Sequence, residues 1–312
     1  MASLRKVSVH RARIHPASIQ HARIPQTAVV TLVLAGCLAS AAFAQSKGES
    51  KKEYRFTVGP NAIISIDTQY GAIWVKPGNV DQVVVTATLQ SINVEVDQQQ
   101  NGNRIELASH LLESANEQSG RVDYDVLIPR DATLNLRSST GPLSAEGLQG
   151  DLTLEGTDAV VNVRNFENGH VRVRTMRGLI TLTDVRNGHV EIASITGDIH
   201  MKSVTGPLVL ASSGGGRIFY NGDFGSGGDY RFTTHTGDIE AMAPADVSAD
   251  FRAHSVLGRV QHDFPLQPKH SRFPVEAGRS FVGTSGKASS EVVLRSFSGK
   301  IRLKQRRTTE NQ

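Results

Sequence analysis

The sequence is poor in cysteine and in aromatic residues, with one cysteine, one tryptophan and 5% aromatic residues in 312 positions. A lone cysteine, Cys37, cannot form an intramolecular disulfide, so a disulfide-stapled fold is excluded. Few aromatic residues together with 29 glycines favour a fold with many turns and a thin aliphatic core. No Ser-His-Asp arrangement, phosphate loop or cofactor fingerprint stands out, and no cofactor is expected.

Acidic residues are absent before Glu49. The first part of this segment is basic, and residues 28–44 form an apolar run that ends in Ala42-Phe43-Ala44. A basic start, a short apolar core and a small-residue exit are typical of a secretory signal peptide. We therefore predict a signal peptide over 1–44 and a mature chain that starts at Gln45. An Arg-rich organellar transit peptide is the alternative.

A lipid anchor competes for the same segment. Leu34-Ala35-Gly36-Cys37 fits a bacterial lipoprotein box, in which Cys37 would be lipidated. Residues 38–44 stay apolar, whereas lipoproteins usually turn polar after the cysteine. Soluble export is therefore the main prediction, and a membrane partner is expected only if Cys37 carries lipid. The predicted location is periplasmic, outer-membrane-associated or on the cell surface.

The charge of the chain gives no support for nucleic-acid binding. The whole chain is +4, but the first 44 residues hold five of its 34 basic residues and none of its 30 acidic ones. The remaining chain therefore has a net charge of −1. Because a basic surface is the electrostatic mark of a nucleic-acid protein, no such partner is expected.

A glycine-led unit repeats through the middle of the chain, as in Gly178-Leu-Ile-Thr-Leu and Gly197-Asp-Ile-His-Met. Its glycines fall nine to twelve residues apart, so alternate units form two series about 18–22 residues apart. Residues two and four after the glycine are apolar and their neighbours are mostly polar, which is the period-two pattern of a strand with one buried face. The spacing predicts an all-β, β-helix-like solenoid with two short strands per coil.

The turns of this solenoid are assigned to two kinds of residue. Glycine is expected to supply a positive φ at each tight corner. An apolar residue two or three places before many of the glycines is expected to plug the corner. These residues are Leu148, Phe166, Met176, Val185, Ile195 and Val204.

Four parts follow the predicted signal peptide. Residues 45–130 contain less regular strands and a hairpin signal at Asn101-Gly102, which predicts a small antiparallel N-terminal β cap. Residues 131–304 form the solenoid, and 263–290, rich in Pro, Gly and Ser, is expected to be an irregular loop or rung. The polar residues 305–312 are predicted to be a disordered tail.

Three segments carry a family resemblance: Thr196-Gly197-Asp198-Ile199, Thr236-Gly237-Asp238-Ile239 and Ser298-Gly299-Lys300-Ile301-Arg302-Leu303. Over roughly 60–304 the chain resembles the bacterial envelope proteins called putative adhesins, with tandem Thr-Gly-Asp-Ile β-repeats. The resemblance implies a signal peptide, a short β-rich lead-in and tandem β-strands. It implies no catalytic or binding residue.

Two groups of residues are candidate sites. Asp198, Arg217, Asp238 and Arg259 share one repeat position, which predicts a surface ladder of alternating charge rather than the paired carboxylates of a glycosidase. His170 and His189 share another position, with Asp151 one coil earlier, and such a set could bind a transition metal. Two solvated turn histidines are the favoured interpretation, so no metal is expected.

A third candidate is the glycine-rich segment 222–229, which resembles one copy of a calcium-binding nonapeptide. Such sites need repeated copies on stacked turns, so a flexible loop is the expectation.

The sequence therefore predicts a non-enzymatic, extracytoplasmic protein that presents a β-solenoid surface for binding or adhesion. The expected partner is an envelope protein or a glycan surface. A self-assembling envelope spacer is the first alternative. A polysaccharide-acting β-helix enzyme is the second.

Overall fold

The computed structural model describes residues 48–269 and 278–306, and every regular element in these ranges is a β-strand. The predicted signal peptide, Cys37 and tail residues 307–312 lie outside the described residues. Within the described ranges there is no helix long and apolar enough to cross a membrane.

The strands form two large sheets, here called sheet A and sheet B. Sheet A contains β1 (Ser50–Thr57), β3 (Ile73–Pro77), β4 (Gln82–Leu89), β7 (Val122–Ile128), β9 (Leu143–Glu146), β11 (Val161–Glu167), β13 (Ile180–Arg186), β15 (Ile199–Val204), β17 (Ile218–Asn221), β19 (Ile239–Ala243), β21 (Val260–His262) and β25 (Ile301–Gln305). Sheet B contains β2 (Ile63–Tyr70), β5 (Val94–Asn101), β6 (Arg104–Leu111), β8 (Thr133–Thr140), β10 (Leu152–Asp158), β12 (His170–Arg177), β14 (His189–Ser194), β16 (Leu208–Ser213), β18 (Asp229–Thr234), β20 (Ala249–Ser255), β22 (Gln267–Pro268), β23 (Ser280–Ser285) and β24 (Ser290–Ser296).

Successive coils stack in parallel, and each coil gives one strand to sheet B and the next strand to sheet A. In the middle of the chain, Val171 pairs with Val190 and Ile180 pairs with Ile199. Ile180 and Ile199 are fully buried, as the alternation predicts. Burial of a side chain of this size stabilises the fold by about 1.5–3 kcal/mol, so the core is an aliphatic stack between the two sheets. The predicted all-β solenoid is confirmed.

The N-terminal region is more closely joined to the solenoid than a separate antiparallel cap would be. β1, β4 and β7 pair antiparallel, as do β5 and β6. However, β2 pairs in parallel with β8, and β3 pairs in parallel with β9. The first full coil is therefore β2 and β3, because Ile64 and Ile66 follow the same alternation as the later coils.

One coil is shifted by a residue relative to the expected pattern. The sequence places Leu208 and Leu210 inward, but Val209 and Ala211 are the buried residues of β16. Val190 pairs with Val209, so the turn before β16 holds one extra residue. A run of four apolar residues fits either frame, and the neighbouring strand selects the one that keeps the ladder in register.

The last coils do not stack in sequence order. β24 lies between β18 and β20, and β25 lies between β19 and β21. We call residues 290–305 the inserted coil. The segment expected to be irregular, 263–290, contains β22 and β23, and β23 pairs antiparallel with β20 at the end of sheet B. Residues 270–277 of this segment lie outside the described part of the chain.

The turn from sheet B to sheet A, here called the first corner, combines a buried hydroxyl with a glycine three residues later. Ser194 Oγ accepts a hydrogen bond from Gly197 N at 2.8 Å, and Ser296 Oγ accepts one from Gly299 N at 2.8 Å. The buried hydroxyl residues of these corners are Thr68, Ser138, Thr175, Ser194, Ser213, Thr234, Ser255 and Ser296. Reading only the residues after each glycine misses this half of the repeat.

Close approach between coils, rather than a positive φ, explains most first-corner glycines. The φ of Gly197, Gly216 and Gly237 lies outside the left-handed region. A Cβ atom on Gly237 would lie 1.9 Å from the carbonyl oxygen of Gly216, and one on Gly216 would lie 2.0 Å from that of Gly197. The expectation of a positive φ is therefore wrong at these three positions, where the stacked backbones leave no room for a side chain.

The turn from sheet A to sheet B, here called the second corner, is filled by a buried side chain. The plugging residues are Leu148, Phe166, Val185, Val204 and Phe224. Several non-glycine residues here have positive φ, among them Asn168 and Asn187. The expected plug is wrong for Met176 and Ile195, which lie at first corners and are 49% and 55% exposed.

Candidate functional site

The structure brings together the three residues of the candidate metal site. His170 pairs with His189, and their ring centroids lie 4.8 Å apart in an edge-on arrangement. Asp151 Oδ1 lies 2.9 Å from His170 Nδ1, and both side chains are largely exposed. This contact occupies one His170 nitrogen. Across the described residues, no group of three or more His, Cys, Asp or Glu side chains could hold a metal ion.

The predicted charge ladder forms in part. Arg217 donates to Asp198 at 2.9 Å, and its backbone nitrogen donates to the same carboxylate at 2.8 Å. Partial burial would raise the pKa of Asp198, but these two hydrogen bonds hold the pKa below its ordinary value.

The ladder differs from the prediction at its end. Lys300 lies between Asp238 and Arg259, because Ile239 and Val260 each pair with Ile301. Its backbone nitrogen donates to Asp238 Oδ1 at 2.7 Å. Adjacent pairing of Asp238 and Arg259 is therefore wrong, since the sequence does not reveal the inserted coil.

The segment 222–229 is a second corner and not a cradle for calcium. Phe224 is fully buried and stacks on Tyr220 at 4.5 Å between ring centroids. The Phe224 backbone nitrogen donates to Tyr220 Oη at 3.1 Å, and Asp223 Oδ1 accepts from Gly225 N at 3.0 Å. The predicted flexible loop is therefore a packed turn.

A groove on the outer face of sheet B is a better candidate site. It encloses about 600 Å³ and is formed by side chains of five strands, β5, β6, β2, β8 and β10. We call it the N-terminal groove. Its polar lining residues are Ser65, Asp67, Asp97, Gln98, Gln99, Glu106, Asn135, Arg137, Thr153 and Glu155.

Arg137 organises the floor of the N-terminal groove. It donates to Glu155 at 2.9 Å and lies 3.7 Å from Asp67, two residues that flank it on neighbouring strands. The hydrogen bond to Glu155, with the charges of both carboxylates, raises the pKa of Arg137 above its ordinary value. Arg174 also contacts Glu155, at 3.7 Å. These pairs hold the carboxylates in fixed positions.

The lining of this groove can both donate and accept hydrogen bonds. Carboxylates accept, Arg137 donates, and the amides of Asn135 and Gln99 do both. Hydroxyl-rich ligands present alternating donors and acceptors, which this set of groups can match. Asp67 and Glu155 are already paired with Arg137, which opposes the free acid and free base that glycoside hydrolysis needs.

Sequence reasoning missed this groove. Asp67, Arg137 and Glu155 occupy the same outward position of β2, β8 and β10. Their matched polar positions were a usable signal. The hairpin of β5 and β6, which completes the groove, comes from the region expected to form a separate cap.

Comparison with known families matches residues 61–304 to the model described as Toastrack DUF4097. The chain belongs to the Toastrack DUF4097 family. Its match spans the solenoid and most of the N-terminal region, which confirms the resemblance at the level of a family. The Thr-Gly-Asp-Ile signature stays a prediction. A comparison with curated proteins found no match.

Three solved structures are similar to this Toastrack chain, each at 12% identity. A putative adhesin from Bacteroides fragilis NCTC 9343 matches 81% of this chain and 97% of its own, with a TM-score of 0.45. A putative cell adhesion protein from Clostridium sporogenes ATCC 15579 matches 82% and 100%, with a TM-score of 0.30. A putative adhesin from Parabacteroides merdae ATCC 43184 matches 84% and 98%, with a TM-score of 0.33. With TM-scores below 0.5, these similarities do not identify a shared function.

Proposed function

We propose that this chain is an adhesin-like, non-enzymatic protein that acts outside the cytoplasm and binds a glycan in its N-terminal groove. The groove carries the proposal, because it combines a concave shape with polar groups from five strands. Rigid, paired side chains such as Arg137 and Glu155 lose little freedom when a ligand binds, which favours affinity. An envelope protein as the partner is the alternative outcome of the test.

Binding is tested with a glycan array and two matched variants. Asp67→Asn combined with Asn135→Ala removes a charge and an amide from the groove and is expected to weaken binding about 10–100-fold, since hydrogen bonds to charged groups contribute about 1.5–3 kcal/mol. Glu191→Gln changes a carboxylate on the same face, outside the groove, and is expected to bind as the wild type does. Equal glycan binding by all three proteins would contradict the groove as the site.

Two further readouts separate the alternatives. Capture of an envelope protein, lost in the groove variant and kept in Glu191→Gln, would replace the glycan with a protein ligand. Release of shortened chains from a bound polysaccharide would contradict a non-enzymatic role.

Export is tested by fractionating bacterial cells that express the full chain. The expected product is an extracytoplasmic chain whose intact mass begins at Gln45. A lipid-modified chain that begins at Cys37 would contradict soluble export and support the membrane-anchored alternative. A full-length cytoplasmic chain would contradict export altogether.

A further inference from the structure

The inserted coil occupies a position that an earlier part of the chain could also fill. β24 and β25 lie between the coil of β18 and β19 and the coil of β20 and β21, both of which precede them in the sequence. All four contacts are parallel ladders. We call the space between these two earlier coils the slot.

The coil of β20 and β21 matches the inserted coil position by position. Val292 pairs with both Tyr230 and Phe251, and Ser296 pairs with both Thr234 and Ser255. The first corners are also equivalent, because Ser255 Oγ accepts from Gly258 N at 3.0 Å as Ser296 Oγ does from Gly299 N. Direct stacking of β20 on β18 would therefore keep the frame, the buried face and the corner hydrogen bond.

Loop closure favours this direct stacking at first. Tyr230 and Phe251 are 21 residues apart, whereas Tyr230 and its observed partner Val292 are 62 residues apart. The entropic cost of closing a loop grows with its length, by roughly 0.6 kcal/mol per doubling. A chain in which the slot is closed and the inserted coil is free is thus a natural intermediate.

A free inserted coil needs another slot. Its buried residues Val292, Leu294, Ile301 and Leu303 would be exposed to water, and both of its strands would have unpaired edges. The slot that fits these residues exists in the same chain and in every other copy of it. The 27 residues between β21 and β24 give the coil reach beyond its own solenoid.

We propose that the slot is an interaction site for a second copy of this chain, which inserts its own residues 290–305 and forms an exchanged dimer. The inserted coil of each copy then makes, in the other copy, the contacts that it makes here within one chain. These include the ion pair of Lys304 with Glu240 at 2.8 Å and the stacking of Phe297 on His235 at 4.8 Å. Exchange is reciprocal and uses an identical element, as in domain swapping.

Cysteine pairs test the exchange in a Cys37→Ser background. Thr233 pairs with Arg295 on the outer face, so one chain carries Thr233→Cys and a second, larger tagged chain carries Arg295→Cys. Paired strands lie about 4.8 Å apart, which is within disulfide range. After the two chains are mixed, unfolded and refolded together, oxidation is expected to give a mixed disulfide dimer. Its ratio to monomer should double when the chain concentration doubles.

Two controls decide the outcome. Ser212 pairs with Thr233 between coils that stack in sequence order, so Ser212→Cys and Thr233→Cys chains should form no mixed dimer above background. One chain with both Thr233→Cys and Arg295→Cys should form an internal disulfide before unfolding and then fail to exchange. No mixed dimer above the Ser212 control at the highest concentration that refolds would overturn the proposal. Equal dimer yields for both pairs would also overturn it, because they indicate nonspecific association.

Discussion

The two corners of each coil connect the same two sheets but are stabilised by different means. At the first corner the backbones of successive coils touch, so glycine is required by space and a buried Ser or Thr hydroxyl satisfies its N–H. At the second corner an apolar side chain fills the turn, and Asn or Asp residues adopt the left-handed backbone. The difference teaches that a regular solenoid needs both a contact of backbones, which sets the spacing, and a contact of side chains, which fills the core.

Removing a second-corner plug should have the largest effect. Phe166 is 1% exposed, so Phe166→Ala should lower the free energy of unfolding by about 3–5 kcal/mol through lost burial and a cavity. Ile195→Ala, at a first corner, should change it by less than about 1 kcal/mol because the side chain is already 55% exposed. Urea unfolding of both variants measures the difference. Similar losses would show that the two corners pack alike.

Adding one methyl group at a first corner should come next. Gly237→Ala places a Cβ against the Gly216 carbonyl and should cost about 3 kcal/mol, because neither backbone can shift without breaking a ladder. Gly102→Ala is the control, since its φ is +59° with open space around it, and it should cost about 1 kcal/mol. If Gly102→Ala proved the more costly change in thermal unfolding, backbone conformation rather than close approach would control the corner.

One coil tests whether the hydroxyl and the glycine act as a unit. Gly156 occupies the hydroxyl position and Ala159 the glycine position, and a Cβ on Gly156 would lie 2.3 Å from Ala159 Cβ. Gly156→Ser should therefore cost about 2 kcal/mol alone, whereas adding Ala159→Gly should recover most of it. A double-mutant cycle by urea unfolding measures the coupling. Purely additive effects would mean that the two positions are independent.

The smallest effect is expected for the charge beside the first corner. Asp198→Asn should lower the free energy of unfolding by less than about 1 kcal/mol at neutral pH, because the pair with Arg217 is partly exposed. The folded-state pKa of Asp198 is lowered, so its contribution is complete above the unfolded pKa of about 3.9 and is lost as the pH falls through the folded value. Unfolding curves at pH 7 and pH 2 measure this, and a difference that persists at pH 2 would exclude the carboxylate as its source.

The coils could be predicted from the sequence because their information is local. Alternation places Ile180 and Ile199 in the core, and the spacing of the glycines gives the coil length. The frame of β16 could not be predicted, because Leu208 to Ala211 fits two frames equally well. Only the neighbouring ladder distinguishes the two.

The order of the last coils and the position of the groove depend on long-range pairing. β20 and β24 follow the same local rules, so nothing near either strand says which one lies on β18. The groove combines Asp67, Asp97 and Glu155 from strands far apart in the sequence. Its carboxylates were visible in the sequence, but their shared concave surface was not.

The inserted coil also determines how the molecule would respond to a pulling force. An end coil of a solenoid that stacks in sequence order has one neighbour, so tension on it separates one ladder in each sheet at a time. Here the last described strand, β25, belongs to a coil held between two neighbours. Tension on the C-terminus must therefore separate two ladders in each sheet together, which gives this end of the chain a mechanical lock that an end coil would lack.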